Sequence, residues 1–93
     1  MVKIIDHDKK NTAILICEKL ERNNYIQKFE INEKKWKIYL WVNHWEVQIE
    51  ELIELFNQKN IETRKPSVDR TGYSLILDIG KENKISLKDC FII

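Results

Sequence analysis

The chain has 93 residues, 43% of them hydrophobic and 33% charged, and carries a formal net charge of +1 from 16 basic and 15 acidic side chains. This length and balance fit one globular domain and exclude a disordered chain. They also exclude a bulk charge that would draw the protein to nucleic acid or to a membrane, so any such preference has to come from local clustering. Ile, Lys and Asn occur 15, 13 and 8 times, while Ala, Gly, Pro and Arg total seven. That is the usage of an AT-rich coding sequence, as in low-GC bacteria, phages and viruses. The apolar run at Val2–Ile5 is too short for a leader, and no stretch nears the roughly 18 apolar residues that span a bilayer. Cys17 and Cys90, the two cysteines, cannot form the framework of a secreted disulfide protein. A cytoplasmic location and no membrane association are expected.

Val2–Ile5 reads as an optional first strand. Residues 8–22 read as a helix, with Ala13, Ile16, Cys17 and Leu20 on one stripe, Asp8 or Asn11 as the start signal and Asn23-Asn24 as the stop. Residues 25–31 and 36–42 read as a hairpin. Tyr25, Phe29 and Ile31 alternate in its first strand, and Trp36, Ile38, Leu40 and Val42 in its second. A loop of Asn32–Lys35 sets Ile31 opposite Trp36, Phe29 opposite Ile38 and Glu30 opposite Lys37.

Residues 45–59 read as a second helix, with Trp45, Ile49, Leu52, Ile53 and Phe56 as its stripe and Asn43 or His44 near its start. Ile61–Lys65 is a short strand that the following Pro66 confines to an edge or a bulge. Asp69-Arg70-Thr71-Gly72 signals a turn. Tyr73, Leu75, Leu77 and Ile79 alternate as a strand, Lys81-Glu82-Asn83 signals another turn, and a terminal strand covers about 84–92.

The expected fold is α+β, a two-layer sandwich with two helices on one face of a mainly antiparallel sheet, in the order (β)αββαβββ. With the first strand included, this order approaches a ferredoxin-like sandwich. The units, about 8–42 and 45–79, resemble each other at an offset of 36. Ala13, Ile16, Cys17 and Leu20 overlay Ile49, Leu52, Ile53 and Phe56, and Asn24 overlays Asn60, which suggests an αββ repeat.

No motif for chemistry emerges. Asp6-His7-Asp8 and His44 lack metal-ligand spacing. Cys17 lies on an apolar stripe, where cysteine behaves as a small hydrophobe, and Asp89 beside Cys90 disfavours a thiolate. Gly72 and Gly80 make no phosphate loop. No cofactor and no catalytic residue are expected, and the chain reads as a non-enzyme.

Surfaces remain. Trp36 and Trp45 read as packing residues. Alternation sends Tyr39 and Trp41 to the sheet face away from the helices, together with Ile26, Lys28, Lys37, Ile76 and Ile92. Aromatics beside cations suit a protein partner or stacked bases. Glu46, Glu50 and Glu54, with Glu51 beside them, make an acidic ridge for a basic groove. Lys34, Lys35 and Arg70 in the hairpin loops, with Arg64 and Lys65 nearby and Lys37 on the sheet, are the cations that could hold phosphates.

The preferred expectation is a small protein-binding module. It would act as an inhibitor, an immunity protein or a phage- or virus-type antagonist of a host protein, such as a basic nucleic-acid-handling enzyme. It would use Tyr39, Trp41, Ile26, Lys37, Ile76, Glu46, Glu50 and Glu54. Burial of the apolar sheet patch in a homodimer is also expected. The alternative is RNA or single-stranded DNA binding through the aromatic face and the basic loops.

Overall fold

The computed structural model describes residues 2–66 and 72–83. The elements run β1 (Val2–Ile5), α1 (His7–Arg22), β2 (Ile26–Asn32), β3 (Lys37–Val42), α2 (Ile49–Gln58), β4 (Glu62–Arg64), β5 (Leu75–Asp78) and β6 (Gly80–Asn83). β2, β3, β5 and β4 form a four-stranded antiparallel sheet in that spatial order, and β1 and β6 form a separate antiparallel pair. This is the expected α+β arrangement. The expected strand at 84–92, Arg70 and its turn, Cys90 and Ile92 lie outside the described residues.

α1 begins one residue earlier than its periodicity suggests. Asp6, not Asp8 or Asn11, is the N-cap: its carboxylate accepts from the Lys9 amide at 3.1 Å. Both helices end on the same device. Asn24 and Asn60 have φ of 62° and 61°. The next amides, Tyr25 and Ile61, donate to the carbonyls of Leu20 and Phe56. This is the six-to-one bond of a Schellman cap, with Asn supplying the left-handed residue.

One core joins the layers. Ala13, Cys17 and Leu20 of α1, and Leu52 and Phe56 of α2, pack with Ile38, Leu40, Val42, Leu75 and Leu77 of the sheet, and with Ile26, Ile61 and Ile79. The central pairing is symmetric: Ile38–Leu77 and Leu40–Leu75 flank Tyr39–Ile76 on either side. Each αββ unit contributes two neighbouring strands, β2–β3 and β4–β5, and the units meet at the β3–β5 pair.

Several local expectations are corrected. The β2–β3 register is shifted by two, with Phe29 opposite Leu40, Ile31 opposite Ile38 and Glu30 opposite Tyr39. The cause is Trp36, which is not a strand residue but the left-handed end of the turn, at φ 54°. A shift of two keeps every side chain on its expected face. The exception is Ile26. An irregularity between Ile26 and Lys28 turns the strand over, so Ile26 is buried in the core while Tyr25 is partly exposed.

α2 starts at Ile49 and not at 45, because Asn43 organises residues 43–47 into a turn. Its carbonyl accepts from the Glu46 and Val47 amides at 3.0 and 3.2 Å. Trp45 is consequently 96% exposed and not a packing residue. Lys81-Glu82-Asn83 is part of a strand and not a turn, since β1 supplies its partner: Ile4 lies opposite Lys81 and Ile5 opposite Gly80. The Gly80 amide, held by the Asp78 carboxylate at 2.8 Å, marks where the chain leaves the large sheet. β1 therefore stays out of that sheet, and β5 occupies the position between β3 and β4 that a ferredoxin-like sandwich gives its first strand.

Candidate interaction surface

The helices cover the sheet face that carries Leu40 and Leu77, and among the described residues no helix or strand covers the other, open face. In the strand register that face holds Lys28 and Glu30 on β2, Lys37, Tyr39 and Trp41 on β3, Ile76 and Asp78 on β5, and Glu62 and Arg64 on β4.

Its centre is aromatic. Tyr73 was expected in the core row, but it precedes the regular strand and turns onto the open face. Its ring packs on Tyr39 (centroids 4.9 Å apart) and edge-on to Trp41 (5.8 Å). Lys28 Nζ lies 4.3 Å from the centroid of the Trp41 ring, a cation–π contact. Gly72, at φ 82°, completes the enclosure. A Cβ there would come 3.1 Å from the Trp41 indole nitrogen, so the close backbone approach and the left-handed conformation both call for glycine. Ile76 is half-buried between Tyr39 and Arg64 in the ladder.

The charges on this face are mixed and largely satisfied. Lys28 pairs with Glu30 at 3.6 Å and Lys37 with Asp78 at 3.0 Å. A shallow cleft beside the aromatic group is lined by Lys37, Glu62, Thr63, Arg64, Ile76 and Asp78. Three cations therefore share the face with three carboxylates.

Of the residues expected at a partner site, Tyr39, Trp41, Lys37 and Ile76 are brought together here, and buried Ile26 is not. The acidic ridge lies elsewhere. Glu50 and Glu54 are exposed on α2, in the helical layer, and Glu46 sits in the preceding turn. Glu50 is held below the usual carboxylate range by its own backbone amide and by Lys65, whose ammonium lies 3.4 Å away. The described basic residues of the loops do not converge either, and Arg70 lies outside the described residues. The β2–β3 turn, with Lys34 and Lys35, opens at the Lys37–Asp78 end of the sheet, whereas β4 carries Arg64 and Lys65 towards the Leu40–Leu75 end. In the β2–β3 turn, Glu33 forms an ion pair with Lys10, which lowers its carboxyl pKa through that hydrogen bond and charge.

The other reactive side chains have structural surroundings. Cys17 is fully buried, and its thiol is pushed up to about 12, first by burial and then by Glu18 and Glu21. His44 shares a 3.0 Å hydrogen bond with the Ser74 hydroxyl. Among the described residues, no three His, Cys, Asp or Glu side chains converge as a metal site, and no helix is long and apolar enough to cross a membrane.

The sequence had signalled Tyr39 and Trp41 through alternation. It missed Tyr73 and Gly72, whose only signal was the turn before β5, and it missed the exposure of Trp45. No protein-family model matches this chain, and no match is found among curated proteins or solved structures.

Proposed function

We propose that the chain is a non-enzymatic protein-binding module whose open sheet face docks on another protein, as a small inhibitor, immunity protein or phage- or virus-type antagonist would. The observation that carries this reading is the Tyr39–Tyr73–Trp41 group, bordered by charged side chains of which Lys28–Glu30 and Lys37–Asp78 pair with one another. An apolar aromatic centre with a polar rim is the anatomy of a protein interface. A surface that tracks a single strand needs cations free to neutralise phosphates. Here Lys28 is engaged by Trp41 and Glu30, and Lys37 by Asp78. The acidic side chains of α2 belong to the other layer and are no part of this contact.

The test uses the folded chain as bait in extract of the cells that make it, with and without nuclease, alongside anisotropy titrations with single-stranded RNA and DNA at two salt concentrations. The reading predicts a protein captured independently of nuclease and lost in Tyr39→Ala and Trp41→Ala. Salt-sensitive binding of the oligonucleotides that disappears in Trp41→Ala would replace it with the nucleic-acid reading.

A further inference from the structure

A second surface, at the C-terminal end of α1, is built differently. Trp45 is 96% exposed, yet the turn that carries it is firmly held. The Asn43 amide donates to the Tyr25 carbonyl at 2.9 Å, and its side-chain amide donates to the Asn24 carbonyl at 3.1 Å. The Trp45 amide in turn donates to the Asn43 side-chain oxygen at 3.4 Å. His44, next in line, is tied to Ser74. An indole on such a turn has little backbone freedom left to lose on binding, which makes it a pre-organised anchor.

α1 itself carries a groove lined by Leu15, Ile16, Lys19 and Arg22, in which Leu15 is 65% exposed. Its Arg22 end is two residues from Asn24, the residue that anchors the Trp45 turn. Groove and indole complement each other. The groove offers apolar carbon along Leu15 and Ile16 and two cations for the face of an indole. Exposed Glu46, adjacent to Trp45, supplies the opposite charge for Lys19 and Arg22.

From these features we infer that two copies of the chain associate by reciprocal insertion, each Trp45 entering the α1 groove of the other. The Asn43–Asn24 bond ties the Trp45 turn to the C-terminal end of α1, and a two-fold axis at that end would form both contacts at once. The assembly closes as an isologous dimer and does not propagate. This interface is separate from the open sheet face, and it does not rest on the function proposed for that face.

Sedimentation velocity over a range from low to high micromolar chain tests it, with circular dichroism confirming the fold of each variant. Wild type is expected to shift to twice the chain mass. Trp45→Ala should weaken dimerisation by at least about 30-fold, as loss of a central aromatic anchor does. Combined Lys19→Glu and Arg22→Glu should also leave a monomer, and adding Glu46→Lys to that variant should restore the dimer. Trp41→Ala should leave the mass unchanged. A wild-type chain that stays monomeric throughout, a dimer that persists in Trp45→Ala, or one lost in Trp41→Ala would each overturn the assignment.

Discussion

Leu40→Ala is the sharpest test of how the two layers are joined. Leu40 is fully buried, with Phe29 and Leu75 opposite it in the ladder. The substitution removes three buried carbons, about 2–2.5 kcal/mol at roughly 0.8 kcal/mol each. Both neighbouring strands are hydrogen-bonded to β3, so the walls cannot close on the space. A residual cavity of about 40–60 Å³ adds about 1–1.5 kcal/mol. The total of about 3–4 kcal/mol is a large part of the roughly 5–14 kcal/mol expected for a domain of this size. It corresponds to a fall in Tm of about 12–30 °C. Ile31→Ala is the control: Ile31 is on the same face but 39% exposed, at the turn end of the hairpin, and it should cost about 1 kcal/mol or less. Urea unfolding followed by tryptophan fluorescence and by circular dichroism, with unchanged m values, measures both. A loss below about 1 kcal/mol at Leu40, or an equal loss at Ile31, would mean that the core is not where the ladder puts it.

Two further outcomes follow from the helix ends and the buried thiol. Replacing Asn24 or Asn60 by Ala should each cost about 1 kcal/mol, because these residues sit at φ near +60°. Replacing either by Gly should change stability by less than about 0.5 kcal/mol in chemical denaturation. Cys17 has its pKa raised from 9.0 to about 12 by burial, so the fold favours the protonated thiol. Its contribution is complete below pH 9 and is lost progressively as pH rises towards 12. Tm should fall across that interval less steeply in Cys17→Ala than in wild type. At pH 8, alkylation of Cys17 read by peptide mass mapping should require denaturant, and rapid labelling of the native chain would contradict the burial.

The sequence conveyed periodicity well and backbone exceptions poorly. The stripes Ala13–Cys17–Leu20 and Leu52–Phe56, and the row Ile38–Leu40–Val42, are core residues because burial imposes periods of 3.6 and 2 that survive in the residue pattern. The misses share one cause, a backbone feature carried by a residue that does not advertise it. Glycine or asparagine at position 36 would have marked the left-handed end of the turn. Trp36 occupies it because its ring packs against the core and its carbonyl accepts from the Ile79 amide at 2.9 Å. Nothing in Ile26-Gln27-Lys28 announces the irregularity that buries Ile26. The polar residues of 43–48 could equally have been a first helical turn, and the competition was decided by the bonds Asn43 makes to Asn24 and Tyr25.

The aromatic residues crowded between positions 36 and 45 thus divide into three kinds, and the division predicts how they contribute to binding. Trp36 is spent on the core. Tyr39 and Trp41 already have intramolecular partners in Tyr73 and Lys28, so a docking protein gains only the part of each ring that stays exposed. Their fixed geometry offers shape, and so discrimination between partners, more than gross affinity. Trp45 is the reverse. Nearly its whole ring is in water. Burying up to about 250 Å² of indole at about 25 cal/mol per Å² gives an upper bound near 6 kcal/mol before ordering costs. A free monomer gains nothing from that exposure, because the indole meets only solvent. Under the two proposals together, the pairing of chains through Trp45 would hold the larger share of affinity per residue, and the sheet face, left uncovered by that pairing, would be where a second protein is chosen.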